Sequence, residues 1–228
     1  DLDGGHAEYI TAPARNAYKI PDAMGFTEAA ALPIAGHTAW HCLVTQAQIR
    51  PWDDVLVQAA GSGVGSMGIQ IAKMFGARVI TTAGSDWKLE KAKTLGADEV
   101  INYRETPDIS RRVKELTGGR GVDLVFDVVG ADVWEENLLC LKPGGRLVIT
   151  GVTSGARTSM DLSILQGRPL QLMGSGGRSR RTFADMMKMV NQGSLHGIVD
   201  RVFPLAGVAE AHRVMESREF FGKLVIES

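Results

Sequence analysis

A chain of 228 residues is long enough to bury a sizeable core, and its 44% hydrophobic and 22% charged content is ordinary for a soluble globular protein. The net charge of -1 excludes a broad electrostatic attraction to nucleic acid or to an anionic membrane. No apolar run reaches the length of a bilayer span. Asp1-Leu2-Asp3-Gly4-Gly5 has neither the basic start nor the apolar stretch of a signal peptide. There is no initiator Met, so the chain reads as a segment that begins inside a longer protein. Cys42 and Cys140 both lie in apolar stretches and read as buried thiols of a reducing, cytoplasmic setting.

Three zones differ in pattern, and no internal repeat or low-complexity tract is visible. Residues 1–35 are short-strand and turn material. Ala7-Glu8-Tyr9-Ile10-Thr11 alternates weakly, and Pro13, Pro21 and Pro33 break regularity. Thr27 to Ala31 reads as a helix start with Thr27 as its N-cap. Residues 36–176 alternate apolar strands with helical stretches. The predicted strands are 55–57, 78–82, 100–101, 122–127 and 146–150, the last after a Pro143-Gly144-Gly145 turn. The predicted helices are 66–75, 86–95, 109–117 and 133–141. Such alternation implies a parallel sheet covered by helices on both faces, a doubly wound α/β domain. Residues 177–228 hold helices at 182–192 and 205–217 and a closing strand at 222–226. The first and third zones are each too small for a core, so they are expected to pack together.

The strand at 55–57 runs into Gly61-Ser62-Gly63-Val64-Gly65-Ser66-Met67-Gly68 and then a helix. Gly63, Gly65 and Gly68 satisfy G-x-G-x-x-G in the strand-to-helix context that the motif needs. Glycines let the backbone approach a pyrophosphate, and the helix N-terminus supplies free N–H groups and a positive dipole. Methyltransferases use a similar turn, usually with an acid at the strand end. Here those positions are Gln58, Ala59 and Ala60.

The next strand bears on the cofactor. NAD binders place an Asp or Glu about 20 residues on, where it takes the ribose hydroxyls. This strand ends Thr81-Thr82-Ala83-Gly84-Ser85, and Asp86 lies past its tip. Ser85 and Lys88 are donors suited to a 2′-phosphate, so NADP(H) is favoured over NAD(H).

Gly5-His6-Ala7-Glu8-Tyr9, Ala30-Ala31-Leu32-Pro33, Gly36-His37-Thr38-Ala39-Trp40, Val100-Ile101-Asn102-Tyr103-Arg104, Leu141-Lys142-Pro143-Gly144-Gly145 and Phe221-Gly222-Lys223 extend the pattern over essentially the whole chain. Together with the glycine loop they resemble the medium-chain dehydrogenase/reductase superfamily, in its zinc-type alcohol dehydrogenase and quinone oxidoreductase branches. The resemblance implies a Rossmann domain at 36–176. It makes 1–35 and 177–228 the remnant of a GroES-like catalytic domain, most of which lies upstream of this segment. It implies that Gly61, Ser62, Gly63, Val64 and Gly65 hold the pyrophosphate, and that Ser85, Lys88 and Tyr103 surround the adenosine phosphate. Val129, Gly130, Gly151 and Val152 would lie against the ribose and nicotinamide, with Thr38 near the nicotinamide. Lys223 would reach the pyrophosphate or stand as an exposed strand-end lysine.

The implied activity is hydride transfer between NADP(H) and a small alcohol, aldehyde, quinone or enone. The alternative is an NADPH-binding domain or fragment without turnover. No catalytic residue is assigned, although His37 or His41 could serve as a general acid. Zinc is not supported. Ile34 fills the position of an expected Cys ligand, no Cys-x-x-Cys pair exists, and His37, His41 and Cys42 do not share one helix face. His6, His196 and His212 stand alone. Arg178-Ser179-Arg180-Arg181 reads as a solvated loop, since no aromatics interleave it. The partner expected besides a small-molecule substrate is a second copy, paired through Leu170 to Ser175 as an edge strand.

Overall fold

The computed structural model describes residues 4–228; Asp1, Leu2 and Asp3, part of the segment read as lacking a signal sequence, lie outside the described residues. Two short helices, α1 (Phe26–Ala30) and α2 (Pro33–Trp40), lead into one π turn, His41–Gln46. A βα alternation follows: β1 (Asp54–Val57), α3 (Gly63–Met74), β2 (Arg78–Ala83), α4 (Asp86–Thr94), β3 (Glu99–Asn102), α5 (Ile109–Leu116), β4 (Val122–Asp127), α6 (Trp134–Cys140) and β5 (Leu141–Ile149). Then come α7 (Ser163–Gly167), β6 (Gln171–Gly174), α8 (Arg180–Asn191), β7 (Val199–Pro204), α9 (Val208–Ser217) and β8 (Lys223–Glu227).

The main sheet has six parallel strands in the order β3-β2-β1-β4-β5-β6. This is the expected doubly wound α/β arrangement. The strand order reverses between β1 and β4, and ligands of such sheets bind in the crevice outside the strand ends at that point. The strands alternate their apolar side chains between two cores. Val55, Val57, Leu124 and Phe126 face one with α2, α3 and α8, while Leu56, Val125, Ile80 and Leu147 face the other with α5 and α6. Both faces being covered, the strands read as near-continuous Val, Ile and Leu runs. Gly68 lies where α3 crosses β4: a Cβ there would sit 2.8 Å from the Phe126 ring.

Several expectations are corrected. Ala7–Thr11 is no strand. It is exposed, with Tyr9 at 90%, and no neighbour among the described residues gives it a ladder. Thr27 lies inside α1, whose N-cap is Gly25, and its Oγ1 donates instead to Glu227 Oε1 (3.0 Å). Pro33 starts α2 rather than breaking it, because N1 needs no N–H donor. β5 begins at Leu141, but its pairing with β4 shifts register between Leu141 and Arg146. Pro143-Gly144-Gly145 therefore still turns outside the ladder. β7, read as a turn region, pairs in parallel with β8.

Candidate nucleotide site

The glycine loop forms at the reversal point. β1 ends at Val57, and Ala59 takes a left-handed φ of 56°, unusual for a residue with a Cβ. The kink is held from β2: Ala59 N donates to Thr82 Oγ1 (3.2 Å) and Ala60 N to Thr82 O (2.9 Å). Ser62 then caps α3, its Oγ accepting from Gly65 N at 2.8 Å. At Gly65 a Cβ would run into the Ala59 carbonyl, so only glycine lets the loop fold this tightly. The first N–H groups of α3 have no helical acceptor and open toward the crevice.

The rim is built from distant residues. The Lys88 stem lies on Gly61, where a Cβ would be 2.9 Å from its Cδ. The Lys223 stem lies on Gly63 in the same way, at 2.5 Å, and Gly222 N donates to Gly61 O (2.9 Å). Tyr103 covers Gly84 at the tip of β2. Ser85 is the N-cap residue of α4, and its side chain makes no capping bond. The nearby acid is engaged elsewhere, since Asp86 Oδ1 accepts from Asn102 Nδ2 at 2.9 Å. Lys88 Nζ donates to the Arg218 carbonyl, the left-handed cap of α9. Burial lowers the Lys88 pKa; Glu219 and Asp200 raise it, while Arg104 and Arg218 lower it further. Arg104 and Arg218, whose charges act on Lys88, are cations that the sequence reading did not assign to this rim. Arg104 was signalled by its place beside Tyr103, whereas Arg218 comes from the far end of the chain.

On the other side of the crevice two loops meet back to back. Gly130 has φ 99°, and a Cβ on it would strike Gly155 O at 2.8 Å and Val152 Cα at 2.9 Å. Ser154 N donates to Val129 O (3.0 Å), and Val152 is 53% exposed. Asp127, fully buried at the end of β4, holds this loop: its Oδ1 accepts from Val129 N (2.7 Å) and Gly130 N (3.1 Å). Behind it lies a buried polar chain. Thr82 Oγ1 donates to Gln58 Oε1 (2.5 Å), and Gln58 Nε2 donates to Asn137 Oδ1 (2.7 Å). Asn137 lies near Asp127 and favours its charged form, yet Asn137 Nδ2 and Asp127 Oδ2 are both buried without a hydrogen-bond partner, and burial dominates and raises the Asp127 pKa.

Thr38 is buried on α2. The Thr38 hydroxyl accepts from Arg178 Nη1 at 2.6 Å. Residues 178–181 are exposed, as expected of a solvated loop, but the Arg178 head group reaches back onto α2. His37 Nε2 lies 2.8 Å from Thr182 Oγ1, and its pKa is lowered by burial, by Arg178 and by His41. His41 is buried with Nε2 2.8 Å from Gly176 O. Both thiols are free and buried, and burial pushes the Cys42 pKa up to about 11. The other histidines lie at the surface: His6 meets His212 edge-on at 5.8 Å, and His196 Nδ1 faces Glu28 Oε1 at 3.4 Å. Between α2 and α8 opens a cavity of about 530 Å³, lined by Tyr18, Leu32, Ile34, His37, Arg178 and Phe183 among others.

The zinc-binding dehydrogenase profile matches residues 63–192. The chain belongs to the zinc-binding dehydrogenase family. A structure described as an NAD-dependent alcohol dehydrogenase is 44% identical, with a TM-score of 0.93, over 99% of this chain and 65% of that one. The Escherichia coli quinone oxidoreductase structure complexed with NADPH is 34% identical, with a TM-score of 0.82, over 94% of this chain and 69% of that one. The 2-haloacrylate reductase of Burkholderia sp is 33% identical over 98% of this chain and 70% of that protein. The chain thus spans about two thirds of the length of these relatives. The family's metal does not fit the residues present. Ile34 offers no ligand atom, His37 and His41 turn to Thr182 and Gly176, and no group of three His, Cys, Asp or Glu side chains converges among the described residues. The glycine loop has the form a dinucleotide's pyrophosphate needs, a turn too tight for a Cβ at Gly65 that opens the Ser62-capped N-terminus of α3.

Proposed function

We propose that this chain is the cofactor-binding part of an NADP(H)-dependent oxidoreductase acting on a small alcohol, aldehyde, quinone or enone. One observation carries the choice of cofactor. The tip of β2 presents Ala83 and Gly84 where an NAD binder places an acid, the nearby Asp86 is engaged by Asn102, and the Lys88 stem lies on Gly61. The relative complexed with NADPH supports the reading, whereas the NAD-dependent relative points the other way. Gly61, Ser62, Gly63, Val64 and Gly65 bind the pyrophosphate on the α3 N-terminus. Ser85, Lys88 and Tyr103 bind the 2′-phosphate, and Lys223 adds charge near the pyrophosphate. Val129, Gly130, Gly151, Val152 and Thr38 orient the nicotinamide half. When bound, the cofactor supplies or accepts the hydride.

Residues 36–176 are the cofactor domain, and 1–35 and 177–228 belong with the substrate-side domain. We assign the protein to a reducing, cytoplasmic setting, where buried free Cys42 and Cys140 persist as thiols, and to a homodimer. The second reading is a nucleotide-binding unit without turnover, which the partial coverage of the relatives favours.

Titration with NADPH and NADH tests the cofactor. NADPH is expected to bind at least about tenfold tighter, the range of one charge-assisted contact. Lys88→Met keeps the stem on Gly61 and is expected to weaken NADPH about tenfold while changing NADH about threefold or less. Equal affinities in the unmodified chain overturn the NADP(H) reading.

A further inference from the structure

The cavity between α2 and α8 has an uneven electrostatic character. Its body is apolar, from Leu32, Ile34 and Phe183 among others, and the charged or titratable side chains that line it are Tyr18, His37, Arg178 and Arg180, with no Asp or Glu among them. Burial and the neighbouring Arg178 and His41 lower the His37 pKa, so that ring is neutral near pH 7 and the two arginines carry the charge. Neither forms an ion pair with a carboxylate of the described residues.

Arg178 is the better placed of the two. Its Nη1 bond to Thr38 uses one guanidinium donor and pins the head group against a residue only 4% exposed. A guanidinium carries five N–H donors in a planar fork, so the rest remain for a ligand. That fork matches a carboxylate in a bidentate pair. A volume of about 530 Å³ suits a small molecule.

We propose that this cavity is an anion subsite, in which Arg178 anchors the carboxylate of a small substrate whose apolar, reducible body lies against α2. The inference rests on the oxidoreductase reading for the word substrate. Two sources share the chemistry: an α,β-unsaturated carboxylate and a 2-oxo acid.

The test is equilibrium binding, read by ligand-observed NMR on the 228-residue chain, with and without NADPH. The probes are trans-2-butenoate, 2-oxobutanoate and the neutral trans-3-penten-2-one. At least one carboxylate is expected to bind tenfold or more tightly than the ketone, and the better one identifies the source. Arg178→Met is expected to weaken that carboxylate at least tenfold and the ketone less than threefold, while Arg178→Lys restores part of the loss. Thermal melts of each variant establish folding, and Arg178→Lys carries the comparison if the Met variant does not fold. Equal binding of ketone and carboxylates overturns the proposal. So does carboxylate binding that survives the loss of Arg178. A matching loss of NADPH affinity reassigns Arg178 to the cofactor and overturns it as well. Because the anion is also read without cofactor, absence of NADPH binding strikes the oxidoreductase reading and leaves the anion subsite standing or falling separately.

Discussion

Asp127 does its work from a position without solvent contact. Its Oδ1 fastens Val129 and Gly130, and burial holds its pKa above the usual carboxylate range. A carboxyl whose folded pKa is raised stabilises the fold fully below its unfolded pKa, and that contribution is lost as pH rises through the folded pKa. Asparagine keeps an acceptor for both backbone N–H groups and does not ionise. The melting temperature of Asp127→Asn relative to the parent is therefore expected to climb as pH rises from about 4 toward neutrality. Any constant offset from a misplaced amide leaves this slope untouched. A difference flat in pH from 3.5 to 7, in paired thermal melts, contradicts the raised pKa. Asp127 was legible as the last residue of a predicted strand, but its grip on the next loop was not. Short-range strand patterns do not report which carboxylate turns back onto its own backbone.

At the scale of elements, the entry to β1 is tied to β5 by a buried ion pair. Arg146 Nη2 lies 2.6 Å from Asp53 Oδ2, with the two side chains 9% and 6% exposed. Arg146 Nη1 also donates to the carbonyls of Ala47 and Gln48, which follow the π turn. Arg146→Met leaves Asp53 buried without a counter-charge. Breaking one partner of such a pair costs about 3–5 kcal/mol. In a chain of this size that is a fall of roughly 6–20 °C in melting temperature; scanning calorimetry showing less than about 2 °C would contradict it. Elements with a strong local signal were readable to within a few residues, as the apolar run Val122–Asp127 and the helix Asp86–Thr94 ahead of Gly96 illustrate. β7 was not, because Asp200, Arg201 and Pro204 dilute its Val and Phe, and its ladder to β8 is a long-range fact. The glycine loop was readable because its spacing is imposed locally by backbone contact. The cationic rim was only half readable, since Arg218 reaches it through tertiary packing alone.

For the molecule as a whole, β6 is an edge of the sheet. It pairs with β5 on one side, and Leu172 is 37% exposed. An unpaired edge of this kind invites strand addition. Sedimentation at micromolar concentration is expected to give twice the 24.5 kDa chain mass, and Leu172→Lys to shift it toward one chain; a monomer in the unmodified protein contradicts the pairing. The nucleotide cradle has a different wholeness. Gly222 is bonded to Gly61, Lys223 lies over Gly63, and the Arg218 carbonyl holds Lys88. Residues 218–223 leave the ribosome after all six strands of the main sheet. A nascent chain halted before Arg218 has every strand of that sheet and the whole glycine loop, but not the wall that closes over it. Translation therefore delivers the sheet first and the finished cofactor cradle later, and the order of synthesis keeps nucleotide capture behind completion of the fold.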